Sequence, residues 1–306
     1  MITALLHTAG IKASPILWAS LGGLCSERSG IVNIGLEGMM LAGAFFAVLG
    51  SHFLPSPWLG LLCAAIAGGL LGLLHAWLSI RWRVDQIISG IGINLLSLGL
   101  TGFLLLRIFQ AYGNSPTVPK FGSISGEFFR QIPIVGELLV QLIFPLCPLH
   151  LVLLGLVLVV WWFFWKSVWG LRLRATGENP HAVRSAGIHP ERIQYVAVTV
   201  SGILAGIGGA QLSIGDVSAF STGMTNGRGF IALAALICGQ WRPEGVVIAC
   251  LCFGFVEALG EHLQGRLPLL PSEFYLALPF VLALAALSAA RWTGRPPVAL
   301  GKGTRV

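Results

Sequence analysis

The sequence contains a series of apolar runs, each close to the ~20 residues that an α-helix needs to cross a lipid bilayer. Hydrophobic residues make up 55% of the 306 residues and charged residues only 10%, whereas a soluble domain carries about 25% charged residues. Apolar residues follow one another instead of alternating with polar ones, and this excludes a transmembrane β-barrel. The pattern therefore predicts an all-α, polytopic helical membrane protein in which residues 1–306 form a single transmembrane domain.

The runs predict about nine membrane-spanning helices, and the limits of the runs also allow eight or ten. Residues 2–24 and 229–241 are marginal spans, because the first run contains polar residues and the second is short. The other predicted spans are residues 33–50, 58–80, 84–110, 146–165, 193–215, 243–259 and 272–290. Between the fourth and fifth spans, residues 112–145 form a long connection whose apolar patch at 132–144 is too short to cross a bilayer.

Basic residues indicate which loops face the cytoplasm, because Lys and Arg accumulate on that side of membrane proteins. With nine spans, the basic residues at 81 and 83, between 166 and 192, at 242 and in the tail all fall on one side. This places the C-terminus in the cytoplasm, and the N-terminus and residues 112–145 outside. Membrane orientation then accounts for the net charge of +7 without a nucleic-acid partner.

The longest polar and basic interval is residues 172–192, between the fifth and sixth predicted spans, and we call it the docking segment. Asn179 is a suitable N-cap, Pro180 suits the first helical position, and Gly187 ends the helix. These signals predict a short helix at the cytoplasmic membrane surface that exposes small side chains such as Ala186. An element of this kind is suited to docking against a partner protein.

Glu37 is a carboxylate about two turns into an apolar run, where a charge is costly unless it faces protein or water. One interpretation is a residue that lines or gates a transport pathway. The other is a structural carboxylate that caps a neighbouring helix or pairs with an arginine. The flanking Gly35 and Gly38 indicate a broken or tightly packed helix entrance.

Other polar residues in or beside the apolar runs are also candidates for a translocation path. They are Asn33, Gln86, Asn94 and Gln211. For such amides the alternative is an interhelical hydrogen bond, and both interpretations stay open. Asp216 and Arg228 bracket a polar loop on the predicted outer side and are candidates for contact with an extracellular partner.

The motifs of common catalytic and metal sites are missing from the sequence. It contains no G-x-x-x-x-G-K-[ST] phosphate loop, no H-E-x-x-H and no G-x-S-x-G. The six cysteines include no C-x-x-C spacing, and we interpret them as small buried hydrophobic residues. We therefore predict no catalytic residue, no metal and no cofactor, and any ATP must be used by another chain.

Four motifs, in chain order, resemble the permease subunits of bacterial ABC importers. They are S-E-R-S-G-I-V-N-I-G-L-E-G-M-M (26–40), D-Q-I-I-S-G-I-G-I-N-L-L (85–96), R-A-T-G-E-N-P-H-A-V-R-S-A-G-I (174–188) and G-R-G-F-I-A-L-A-A-L-I-C-G-Q-W (227–241). The group they resemble is the branched-chain amino acid/ribose-type permease superfamily, nearest its nucleoside and simple-sugar branch.

The resemblance implies an ABC importer permease fold in the bacterial inner membrane. The permease would pair with a second homologous permease and bind an ATPase subunit that uses ATP. It would receive nucleosides or simple sugars from an extracytoplasmic binding protein, and it would contact membrane lipid. The docking segment would then be the coupling segment that contacts the ATPase. Its matching residues are Arg174, Gly177, Glu178, Asn179, Pro180, Ala186 and Gly187; His181 replaces the alanine usual in the family.

The alternative function is a secondary transporter that acts alone and is driven by H⁺ or Na⁺, with Glu37 and the histidines as carriers of charge. Uptake by the isolated chain under an ion gradient would favour this alternative. An intramembrane enzyme is disfavoured, because no nucleophile–base or metal-binding pair is recognisable in the spans.

Overall fold

The computed structural model describes residues 2–124, 146–266, 271–289 and 296–302. These residues form eleven α-helices, two π-helical extensions and two isolated β-bridges, so the predicted all-α class is confirmed. The predicted apolar patch at 132–144 lies outside the described residues. The helices are α1 (Ile2–Arg28), α2 (Leu36–Phe53), α3 (Pro57–Ala76), α4 (Gln86–Phe109), α5 (Pro148–Lys166), α6 (Val168–Glu178), α7 (Pro180–Ser185), α8 (Pro190–Ala210), α9 (Arg228–Cys238), α10 (Pro243–Arg266) and α11 (Ser272–Ala289).

Six helices in the described part of the chain are long and apolar enough to cross a membrane. They are α2, α3 with its π-helical extension Trp77–Arg81, α4, α5, α8 with its extension Gln211–Val217, and α10. Helix α9 and the apolar part of α11, Glu273–Ala285, are shorter, and α1 is long but carries His7 and Lys12. The structure therefore supports a multi-pass membrane protein, and the predicted count of nine spans is not confirmed.

Helix α8 lies at the centre of the bundle and packs against α1, α2 and α3. Glycines bring these backbones together: a Cβ at Gly68 would overlap the carbonyl oxygen of Gly202, and a Cβ at Gly43 would overlap Gly206. Such close approach is typical of membrane helices, which associate by van der Waals packing rather than by escape from water. The centre of the fold is thus fixed by small residues.

Helix α4 has one polar face and one apolar face. Gln86, Ser89, Ser97 and Thr101 are buried on the polar face, and α4 packs against α2. The opposite face is exposed, and Leu95 on it is 66% accessible. A large exposed apolar face on a membrane helix is the surface expected to meet lipid or another subunit.

The two ends of α8 define the two ends of the molecule, because α8 and its extension span 28 residues, or about 42 Å. At the end where α8 begins, residues 296–302 pack beside the docking segment: the Ala299 backbone N–H donates to the Gly177 carbonyl at 2.9 Å, and that of Gly301 donates to Gly30 at 3.2 Å. The docking segment and the described C-terminal residues therefore share one end, and Asp216 lies at the other.

Candidate functional site

The docking segment contains the short helix that Asn179, Pro180 and Gly187 predict. The Asn179 side chain accepts a hydrogen bond from the Ala182 backbone N–H at 3.1 Å, which caps α7, and Pro180 is its first residue. Gly187 has a φ of +79°, a left-handed conformation that glycine adopts without steric cost. The Gly187 backbone N–H donates to Arg184 at 2.9 Å and that of Ile188 donates to Val183 at 3.2 Å, so the helix ends in a closed turn.

Helix α7 has one anchoring residue and an exposed face of small side chains. Val183 is buried against the rest of the chain, whereas Ala182, Ser185 and Ala186 are exposed. A Cβ at Gly187 would meet no atom within 4 Å. Apart from the exposed His181, the exposed side chains of α7 and its final turn are small, which allows another protein to seat closely on them.

The docking segment is attached to the bundle through the end of α1. Gly177 is buried and packs on the backbone of Arg28. The Arg28 side chain donates from Nε to the Trp241 carbonyl at 2.6 Å, and its guanidinium lies 3.9 Å from Glu178. The Trp241 indole N–H donates in turn to the buried Glu27 carboxylate. These contacts join the docking segment to α1 and to the turn after α9.

The predicted coupling residues occupy different environments in this segment. Glu178, Asn179, Ala186 and Gly187 are exposed, Arg174 and Pro180 are half-buried, and Gly177 is buried. The Arg174 guanidinium lies over the Trp165 ring, 4.9 Å from its centroid. The four exposed residues surround the open face of α7, and the others connect it to the membrane domain.

Glu37 caps helix α9. Its carboxylate accepts hydrogen bonds from the Thr225 hydroxyl at 2.6 Å and from the backbone N–H groups of Gly227 at 2.8 Å and Gly229 at 2.7 Å. Backbone N–H groups at a helix N-terminus are otherwise unpaired and favour a negative charge. The contacts of Glu37 match the interpretation of a structural carboxylate that caps a neighbouring helix.

Asn33, Gln86 and Asn94 hold the chain between α1 and α2 in place. The Asn33 amide donates to the Ser201 hydroxyl at 2.9 Å, and Gln86 accepts from the backbone N–H of Val32 at 2.7 Å. Asn94 accepts from the Gly38 backbone at 2.8 Å and donates to Ile34 at 3.1 Å. Their polar atoms therefore join the connection between α1 and α2 to helices α4 and α8, and Asn94 also joins α4 to α2.

Gln211 is buried next to a cavity near the end of α8 opposite the docking segment. Its carbonyl accepts from the Trp18 indole at 2.9 Å, and its amide nitrogen lies 2.9 Å from both the Ser14 hydroxyl and His150 Nε2. His150 and Asp216 line the cavity, which measures about 590 Å³. Gln211 therefore joins α1, α5 and the extension of α8, and its contact with the cavity is through His150.

Charged residues from distant parts of the chain also line this cavity. Lys12 forms an ion pair with Glu261 and Arg228 forms one with Glu257, and Lys120 donates to the Asp216 backbone at 3.3 Å. The sequence pattern singled out Asp216 and Arg228 but missed Lys12, Lys120 and His150, because no linear spacing brings them together. The cavity therefore presents charges and hydrogen-bonding groups. In the described part of the chain no three metal-ligating side chains lie together.

The sequence matches a known family over most of its length. The family described as the permease component of the branched-chain amino acid transport system matches residues 6–287. The guanosine ABC transporter permease protein NupQ of Bacillus subtilis is 36% identical, covering 91% of this chain and 89% of that protein. The nucleoside ABC transporter permease protein NupC of Lactococcus lactis is 34% identical, with the same two shares.

A third relative is archaeal. The putative glucose ABC transporter permease protein of Haloferax volcanii is 36% identical, covering 83% of this chain and 76% of that protein. These similarities confirm the resemblance indicated by the four sequence motifs. Because the match extends from residue 6 to residue 287 of the bundle described above, the chain belongs to the family of branched-chain amino acid transport system permease components.

Proposed function

We propose that this chain is the permease subunit of an ABC importer that carries nucleosides, with simple sugars as the second substrate class. The observation that carries the proposal is the similarity, over nine-tenths of the chain, to permeases named for guanosine and for nucleosides. The putative glucose permease is equally similar over a smaller share of this chain. Substrate would cross the membrane through the permease without any covalent step, and the ATP would be used by a partner subunit.

The permease would cross a bacterial inner membrane nine times, through the six long apolar helices together with α1, α9 and α11. The docking segment and the C-terminus would face the cytoplasm. The hydrogen bond from Ala299 to Gly177 supports a common side for these two regions, and the basic residues near them support the cytoplasmic assignment.

The exposed face of α7 would seat in the ATPase subunit as the coupling helix. When ATP draws two ATPase subunits together, α7 would move with them. The contacts of α7 with the rest of the chain determine which helices move with it. The contacts of Gly177 with Arg28, and of Arg28 with Trp241, connect α7 to α1 and α9. A rigid-body movement of these helices would switch the permease between outward- and inward-facing states.

The cavity above Gln211 would receive substrate on the outer side, where an extracytoplasmic binding protein delivers it. The side chains of Lys12, Lys120, His150 and Asp216, which line the cavity, offer hydrogen-bond donors and acceptors of the kind that match the hydroxyl groups and base edges of a nucleoside. The exposed face of α4 is a suitable surface for a second homologous permease. Glu37 would stabilise the path without contacting substrate.

Transport by reconstituted components tests the proposal. We expect proteoliposomes that contain this chain, its ATPase, its partner permease and its binding protein to accumulate radiolabelled guanosine or glucose only with ATP. The neighbouring binding protein should retain the same solute. Accumulation by this chain alone under a proton or sodium gradient, with no effect of ATP, would overturn the proposal in favour of a secondary transporter.

A further inference from the structure

A groove of about 770 Å³ runs between α5 and α8 behind the docking segment. Its walls are apolar and its end at the docking segment is basic. The wall residues are Leu156, Val159, Val160, Phe163, Ile193, Val196, Ala197, Val200 and Leu204, with Cys25 and Leu173 at the floor. Gly187 and Ile188, which close the turn after α7, also line it.

The depth of the groove matches one leaflet of a bilayer. From Ile193 to Leu204 it follows α8 for 11 residue steps, or about 16 Å. Half of a hydrocarbon core is about 15 Å thick. Val159 on α5 and Val196 on α8, which both line the groove, are 59% and 64% exposed. An apolar channel of this length and exposure suits an acyl chain.

The mouth of the groove carries positive charge, and no acidic side chain among the described residues pairs with it. Arg172, His189 and Arg192 line it, and no Asp or Glu is among the lining residues. Within the described part of the chain neither arginine has a carboxylate within ion-pair distance. Arg172 instead lies over the Trp169 ring, 5.1 Å from its centroid, and tryptophan is enriched at the level of lipid headgroups.

We propose that this groove binds one anionic phospholipid, with an acyl chain between α5 and α8 and its phosphate between Arg172 and Arg192. Basic pockets between membrane helices are suited to anionic headgroups, and two arginines provide planar, paired donors for phosphate oxygens. The lipid would lie against Ile188 and Gly187, directly behind α7. It would therefore brace the helix that the proposed function assigns to coupling.

Binding of lipid to the full-length chain tests this inference without any transport assay. The purified, delipidated chain is titrated with phosphatidylglycerol in one series. A second series uses phosphatidylcholine, which has no net charge, with the same acyl chains. Bound lipid is counted by native mass spectrometry. We expect the first bound phosphatidylglycerol to be held about tenfold or more tightly than phosphatidylcholine. The R172Q/R192Q double variant should lose this preference, and R172K/R192K, which keeps the charge but not the planar donors, should keep part of it.

Two further variants separate the groove from a general attraction of charge. R81Q/R83Q removes two exposed arginines away from the groove and should leave the preference unchanged. V196W fills the groove and should weaken binding of both lipids, whereas V152W, at an exposed α5 position outside the lining, should not. V196W also keeps the test decisive if the arginine variant does not fold.

Three results would overturn the inference. The first is equal binding of the two lipids to the unmodified chain, and the second is an unchanged preference in R172Q/R192Q. The third is loss of self-association in V196W with unchanged lipid binding, which assigns the groove to a second copy of the chain. The inference rests on the proposed function only in placing the lipid beside the coupling helix. The lipid-binding measurement uses neither ATP nor solute. A negative result for lipid binding therefore leaves the proposed function standing, and a negative result for uptake leaves the lipid site standing.

Discussion

The carbonyl group of Arg28 lies so close to Gly177 that a β-carbon at position 177 would overlap its oxygen atom. The end of α1 and the last turn of α6 are therefore in backbone contact. Arg28 also bonds to Trp241 at 2.6 Å through its side chain. One residue thus connects the docking segment to two parts of the membrane domain.

The first prediction concerns this contact. The substitution G177A adds a methyl group where no space exists, so α1 and α6 must separate, and overpacking of this kind costs about 1–3 kcal/mol. We expect a lower melting temperature of the purified chain and less ATPase subunit bound to it, measured by thermal unfolding and by co-purification.

The matched control is Gly155→Ala in α5, where an added β-carbon would meet nothing within 4 Å. Alanine is the better helix former by about 1 kcal/mol, so the melting temperature should stay the same or rise. If G155A lowers the melting temperature as much as G177A, the backbone contact with Arg28 is not the cause.

The second prediction concerns the exposed face of α7. Ala186 is exposed and has a φ of −80°, so A186W creates no overlap within the chain but obstructs a partner seated on this face. We expect normal membrane insertion and an unchanged melting temperature, with ATPase co-purification and ATP-driven uptake reduced about tenfold or more.

A tryptophan at Leu171, which is exposed on α6, serves as the control for bulk near the membrane surface. L171W should bind the ATPase subunit normally. Full ATP-driven uptake by A186W would remove α7 from the coupling interface, whatever the result for L171W.

The third prediction separates the two roles considered for Glu37. E37A leaves the N–H groups of Gly227 and Gly229 and the Thr225 hydroxyl without their acceptor, and each unpaired buried group costs about 1–3 kcal/mol. We expect E37A to lose much of its thermal stability and E37Q, which keeps one acceptor oxygen, to lose less. The KM for substrate should be unchanged in the fraction of either variant that folds.

A translocation-path role for Glu37 predicts the opposite result. The melting temperature of E37Q would then stay at the value of the unmodified protein, while the KM for guanosine would rise severalfold. Uptake kinetics and thermal unfolding measured on the same preparation distinguish the two outcomes.

Local signals made part of the structure predictable. Asn179, Pro180 and Gly187 define α7 because a cap, a first helical residue and a left-handed turn act within a few residues of one another. The apolar runs gave the all-α class for the same reason, since membrane thickness sets their length. The number of spans was less predictable, because α1 carries Lys12 and α9 has only 11 residues.

Contacts between distant residues were not predictable in the same way. Thr225 is 188 residues from Glu37, and Ser14 is 197 residues from Gln211. In a sequence, a carboxylate that caps a helix cannot be distinguished from one that lines a pathway, because the difference lies in the residues that contact it. The same holds for a glutamine that joins helices and one that lines a cavity. The groove behind α7 also depends on the distance between α5 and α8, and the spacing of apolar residues in the sequence does not predict this distance.

The fourth prediction concerns Arg228 and Glu257, an ion pair beside the cavity that Asp216 and His150 line, with only 15% and 11% of their side chains exposed. Removing one partner of a buried pair costs about 3–5 kcal/mol, because the other charge stays unpaired, whereas an apolar replacement of both is often neutral. We expect R228M and E257L each to lower the melting temperature strongly, and R228M/E257L to recover most of the loss. A double variant as unstable as the sum of the two single variants would show that the charges act independently, and that Arg228 is held for another reason, such as contact with the binding protein.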